Sequence, residues 1–398
     1  MNRTWIGRCA AAGAAVVCLS AMVLAGVGDL EYAKSPPARR GVYVRFAAPE
    51  KLDDAAAMGL KGPAVVADGT AKELKISAAV IRSTGEGDFD TLLLDLTGKR
   101  DFAHAAKLPV KTDRKTSTLY LTTVGPGKAV AERNGQKVPV TVTGRYYEMK
   151  GQPRLYLSLT AAVQGQCAFG EAVRTVRIID ASGNLGFDDA HDPAGGSRAP
   201  ADLVEMADEK GRFTAGAASA GMSTLLGQPL QVGTKWFVLK VEGMKVRSEP
   251  LDCPMGKISG CEGPWQMSLT GKKYRILVGG TGKGEVPVPA DTYRISRCMY
   301  LNPDGSGQGA TAVLSYTRKS VTVAENAVAA VPIGLPVKAT MTARVAGRRV
   351  TFNVNRLDAA GNRILGVMKA DGTQPPAPSI DVVDKTGKVV YTAKLEYG

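Results

Sequence analysis

Histidine is nearly missing from this chain, aromatic residues are sparse, and cations never gather into a block. His104 and His191 are the only histidines, so metal sites built from several imidazoles are excluded. No pair among the 6 cysteines stands at Cys-x-x-Cys spacing, which removes zinc-ribbon and thioredoxin-type chemistry. Aromatic residues make up 6% of the sequence and no run of five cations occurs. The basic stripe with stacking rings of a nucleic-acid reader is therefore not present. No Gly-x-Ser-x-Gly nucleophile motif occurs; Gly216-Ala-Ala-Ser-Ala-Gly221 misses it by one position. Gly279-Gly-Thr-Gly-Lys-Gly284 puts Leu277 where a phosphate loop needs its first glycine, and Val286-Pro-Val-Pro289 follows where a helix should start, so it reads as a hairpin turn. His104 and His191 each have aspartates nearby in sequence, Asp101 for one and Asp188, Asp189 and Asp192 for the other, and read as polar loops. The balance leans away from an enzyme.

What is present begins with an export signal. Arg3 and Arg8 precede an uncharged apolar run from Cys9 to Gly28, and that order is a secretory leader. Ala25, Gly26 and Gly28 offer cleavage points. An uncleaved anchor is the alternative, and no later segment is expected to span a membrane. The protein is expected in the periplasm or outside the cell, and the net charge of +14 suits anionic envelope polymers or polysaccharides as partners. In an oxidising compartment the four later cysteines, Cys167, Cys253, Cys261 and Cys298, are candidates for disulfides. Cys253 and Cys261 bracket a short loop rich in Pro and Gly and form the favoured pair, with buried thiols as the alternative.

Strand signals dominate. Val138, Val140 and Val142 alternate after the Asn134-Gly135 turn; Phe237, Leu239 and Val241 follow Gly233-Thr234; Val350, Phe352 and Val354 follow Gly347. Helical patterns are confined to Glu50–Leu60 and Ala201–Lys210. The fold class is mainly β: tandem antiparallel β units followed by Ig-like or transthyretin-like β-sandwich domains. The expected division is a signal peptide at 1–28, related β units at 29–115 and 116–200, a linker with a short helix at 201–223, a sandwich at 224–330 and an Ig-like domain at 331–398.

The two β units carry a repeat. Asp95–Ala105 and Asp180–Ala190 share Asp, Gly, Phe and Ala in register, and Ile76–Val80 matches Leu159–Val163 upstream. Within the second copy, Asp180, Ser182, Asn184 and Asp188 place oxygen-bearing side chains at alternate positions, as calcium loops do, and calcium is the one cofactor the sequence suggests. Against this, an EF-hand-type loop has Gly and Glu where Leu185 and His191 stand, and the repeat partner has Lys99 at a ligand position. Shortened copies at Asp208 and Asp384 support turn chemistry instead, with Asp capping the turn and Gly supplying positive φ. Trp236 and Trp265 read either as sugar-stacking rings or as core.

The segment Val286-Pro-Val-Pro-Ala-Asp-Thr-Tyr-Arg-Ile295 resembles the Pro-Ala-Gly-x-Tyr hairpin of transthyretin-like and carboxypeptidase-regulatory-like β-sandwiches, with Asp291 in place of Gly. With its Asp-x-Thr-Gly turns and closing Lys394-Leu-Glu-Tyr-Gly398, the chain also resembles uncharacterised exported β-rich proteins that some bacteria encode in many copies. Neither resemblance carries a catalytic residue. The expected role is non-enzymatic binding or architecture at the cell envelope; the alternatives are a hydrolase of envelope or extracellular polysaccharide and a calcium-stabilised extracellular module.

Overall fold

The computed structural model describes residues 27–33, 42–192, 201–207, 211, 213, 224–260, 265–303, 310–334 and 338–394, except 54, 73, 85–86, 117–118, 281, 283, 317–318, 348, 369–375 and 377–378. The expected leader before Val27, the stretch 193–200, Asp208 and the Gly216–Gly221 loop lie outside the described residues. The protein is almost entirely β, as the alternating patterns require. Its first half runs through β1 (Val27–Asp29), β2 (Glu31–Tyr32), β3 (Val42–Tyr43), β4 (Arg45–Phe46), β5 (Glu50–Leu52), β6 (Ala64–Ala71), β7 (Leu74–Ile81) and β8 (Thr91–Asp95). Next come β9 (Ala106–Lys115), β10 (Leu119–Arg133), β11 (Gln136–Met149), β12 (Gln152–Phe169), β13 (Ala172–Ile179), β14 (Leu203–Met206) and β15 (Thr224–Leu225).

Strands β4 to β15 form one continuous antiparallel sheet in almost sequential order, so the expected border at residue 115 falls between two paired strands. Two-residue turns set its register. Asn134 and Gly135 both have positive φ and join β10 to β11; Lys150 and Gly151 do the same for β11 and β12. Positive φ at both central residues gives the turn whose twist matches that of paired strands. The sheet curls into a half-barrel. The segment 42–47 then links the two ends of the curl, because β3 pairs with β12 while β4 pairs with β6. Val138, Val140 and Val142 point into the wall's interior with Leu108, Tyr146 and Leu157.

Both expected helices are strands in part. Glu50–Leu52 pairs with β6, and only Ala56–Met58 turns as a 3-10 helix before Gly59 ends it with positive φ. Leu203–Met206, expected to be helical, is β14 on the open edge of β13. Unpaired ladder groups on a sheet edge outweigh the weak helix preference of a four-residue segment. Because β14 and β15 extend the first sheet, the expected linker at 201–223 contributes a strand to it.

The second half comprises β16 (Pro229–Val232), β17 (Lys235–Glu242), β18 (Lys245–Pro250), β19 (Met255–Ser259), β20 (Trp265–Thr270), β21 (Arg275–Gly280), β22 (Glu285–Pro289) and β23 (Asp291–Pro303). It ends with β24 (Ala310–Tyr316), β25 (Ser320–Val323), β26 (Val328–Ala330), β27 (Lys338–Ala346), β28 (Arg349–Leu357), β29 (Arg363–Met368), β30 (Ser379–Val383) and β31 (Val389–Lys394). A sheet ordered β1-β18-β17-β16-β21-β20-β23-β24-β29-β28-β27 and a smaller one ordered β22-β19-β26 share a core of Trp236, Trp265, Met267, Ile276, Tyr293 and Ile295. Tyr293, from the Pro-Ala-Asp-x-Tyr segment, is buried and its hydroxyl donates to the Pro289 carbonyl at 2.8 Å. The Asp291 carboxylate accepts from the Lys273 and Thr292 N–H groups.

The expected Cys253–Cys261 disulfide is not formed. Cys253 carries a free thiol 3.7 Å from the Met255 sulfur, and Cys261 lies outside the described residues. Burial raises the pKa of the Cys253 thiol, which disfavours the thiolate needed for disulfide exchange.

Candidate functional site

The three long strands β10, β11 and β12 alternate between the barrel interior and the outside, so adjacent residues face opposite ways. Tyr146 points inward and is fully buried, while Tyr147 points out. The Lys150-Gly151 turn fixes which outward residues meet. Met149 stands opposite Leu119 and Gln152, Tyr147 opposite Leu121 and Arg154, Arg145 opposite Thr123 and Tyr156, and Thr143 opposite Ser158, which in turn faces Tyr43 on β3. These rows line an open trough of about 830 Å³.

Its centre is aromatic. The rings of Tyr147 and Tyr156 stack with centroids 5.5 Å apart and planes 11° from parallel. Tyr43 is 75% exposed, Met149 53% and Tyr156 46%. Their hydroxyl oxygens, Tyr147 and Tyr156, lie 3.3 Å apart. Sharing this bond with Tyr156 raises the pKa of Tyr147, while the same bond and a second from Arg154 lower that of Tyr156. Either hydroxyl can donate to the other.

Cations frame the rings. Arg145 and Arg154 come from within the rows, and β9 adds Lys111 opposite Thr123 and Arg114 opposite Leu121. Asp113, bonded by the Thr123 hydroxyl, is an acid beside them, and among the described residues no acid lines the trough itself. Flat rings with exposed faces stack on sugar rings, and guanidinium groups recognise carboxylate or phosphate in bidentate fashion.

The residues singled out from sequence lie elsewhere. Trp236 and Trp265 are buried, each 4% exposed, and their indole N–H groups donate to the carbonyls of Pro287 and Gly282. They pack in the core of the second half, and Trp236 also lines a pocket of about 400 Å³ with Lys235, Phe237, Leu251, Met255 and Pro287. The oxygens of the calcium set are largely engaged within their own turn. Asp180 is buried and accepts from Ser182 Oγ and from the N–H groups of Gly183 and Leu185. The Asn184 amide donates to Asp189 and its oxygen accepts from the Gly186 N–H, while Asp188 is exposed. Among the described residues no group of three or more His, Cys, Asp or Glu could hold a metal. The motif is a capped turn: Asp95 and Asp384 accept N–H and hydroxyl bonds from their own turns in the same manner, and Gly98, Gly183 and Gly387 all have positive φ.

His104 Nδ1 lies 2.9 Å from Asp101, but the imidazole side chain is 85% exposed. The buried Asp95 beside this pair is occupied by its own turn. The tyrosine trough was missed because its rings come from three strands, although the register across Lys150-Gly151 already placed Tyr147 beside Arg154 and Arg145 beside Tyr156. No family model, no curated protein and no solved structure matches this chain.

Proposed function

We propose that this is an exported binding protein that holds an anionic polysaccharide of the cell envelope on the Tyr43–Tyr147–Tyr156 face. The observation that carries the reading is the stacked, solvent-facing tyrosine pair set among Lys111, Arg114, Arg145 and Arg154. Aromatic faces suit the apolar faces of sugar rings, and the cations select chains that bear carboxylate or phosphate. The reading is one of holding and not of hydrolysis, since glycoside cleavage uses a pair of carboxyl groups across the scissile bond and the trough lining has none.

Affinity electrophoresis through gels containing polygalacturonate or a neutral glucan tests this. The wild-type chain is expected to be retarded by the acidic polymer and not by the neutral one. Replacing both stacked rings, Tyr147→Ala with Tyr156→Ala, removes two contacts of about 1 kcal/mol each and weakens retention about thirty-fold. Arg145→Gln with Arg154→Gln is expected to erase the preference for the acidic polymer and flatten its salt dependence. Wild-type retention by the double tyrosine variant would sink the proposal.

A further inference from the structure

The hairpin β27–β28 has an unusual division of side chains. Its register sets Met341 opposite Val354, Ala343 opposite Phe352 and Val345 opposite Val350, so one face is a continuous apolar strip. The other face pairs Thr340 with Asn355, Thr342 with Asn353 and Arg344 with Thr351. In a soluble sandwich the apolar face would be covered. Here Val345 is 69% exposed, Met341 51% and Val350 46%, and every residue of β27, which ends its sheet, is exposed. The charge is as one-sided as the hydrophobicity. Between Lys338 and Leu357 stand Lys338, Arg344, Arg348, Arg349 and Arg356, with no Asp or Glu.

From these two features together we infer that the β27–β28 hairpin lies on anionic lipid bilayers, with Met341, Val345, Val350 and Val354 in the acyl boundary and Arg344 and Arg349, on the polar face, at the level of the lipid phosphates. A strip of aliphatic side chains gains nothing from a polysaccharide, and a hairpin of five cations repels its own copy, whereas an anionic bilayer supplies an apolar layer and negative charge at one surface. Nine residues of β27 reach about 30 Å, and side chains on one face of a strand lie within the 5–10 Å depth that interfacial segments use. The strip is the apolar alternation Val350, Phe352, Val354 that the sequence presents as an ordinary core strand.

Flotation of the full chain with phosphatidylglycerol–phosphatidylcholine vesicles and with phosphatidylcholine vesicles is the test. The wild type is expected to partition at least about tenfold more onto the anionic vesicles. Val345→Thr with Val350→Thr keeps the β-branched shape the strands need and is expected to lower that partition several-fold while leaving the circular dichroism unchanged. Arg344→Gln, Arg348→Gln and Arg349→Gln together are expected to remove the lipid charge preference. The trough variant Tyr156→Ala is expected to bind vesicles as the wild type does, which separates this surface from the polysaccharide face. Unchanged partition of the Val345/Val350 variant would overturn the inference. So would a dimer in sedimentation equilibrium that the same variant dissociates, which would assign the strip to a second copy of the chain.

Discussion

Raising the pH from 5 to 9 is expected to lower the urea midpoint of the wild-type chain far more than that of Asp202→Asn, so that the two stability curves cross. Asp202 is fully buried, as is its neighbour Asp180. Its two carboxylate oxygens accept from the Ala181 N–H at 3.2 Å and the Asp189 N–H at 3.0 Å. Burial, and then the charge of Asp180, push the pKa of Asp202 up to about 8, and burial raises that of Asp180 as well. A carboxyl group whose pKa is higher folded than unfolded binds an extra proton in the folded state. Its stabilising contribution is full below about pH 4 and falls as pH rises through 8, by about 1.4 kcal/mol per unit and several kcal/mol in all.

Other groups slope the opposite way. Arg100 holds the pKa of Asp68 low, which matters only below about pH 4, and burial keeps that of His191 low, which matters below about pH 6.5. The comparison with Asp202→Asn cancels both. The amide cannot ionise and can accept one of the two N–H bonds, so it is expected to be about 1 kcal/mol less stable than wild type at pH 5 and several kcal/mol more stable at pH 9. Curves that run parallel across this range would show that the buried pair does not titrate with folding.

Strand identity was legible because side-chain alternation and two-residue turns are local. Asn134-Gly135 alone places Arg133 opposite Gln136 and sends Val138, Val140 and Val142 inward. The repeat was legible too: Asp95 and Asp180 each close a strand, cap a turn and precede a buried phenylalanine, Phe102 or Phe187. Curling of the sheet was not, because it depends on residues 42–47 bonding to strands some 25 and 115 positions further along. The trough was half legible. Tyr147, Arg145, Arg154 and Tyr156 follow from one turn, whereas Tyr43 arrives only through that distant pairing. Tryptophan stays open at the level of sequence, because a large ring with one polar atom serves a core as well as a binding face once a carbonyl lies within reach of its N–H.

Gly165→Ala is expected to cost about 3 kcal/mol or more, and Gly165→Val to prevent the two halves from folding together. Strand β1 pairs with β18 in the second half, yet it crosses β12 of the first, and β2 then pairs with β12 directly. At the crossing two glycines face two backbones: a Cβ on Gly165 would overlap the Asp29 carbonyl oxygen, and one on Gly28 would overlap the Gln166 carbonyl oxygen. Neither neighbour is a side-chain end that can swing aside, so any Cβ drives the strands apart and opens the core around Leu30, Val163 and Val246. Gly170, a few residues along, provides the control. Its φ is positive but nothing lies within 4 Å of its Cβ position, so Gly170→Ala is expected to cost only about 1 kcal/mol in backbone strain. Equal effects at positions 165 and 170, measured by urea unfolding, would remove the crossing as a structural constraint.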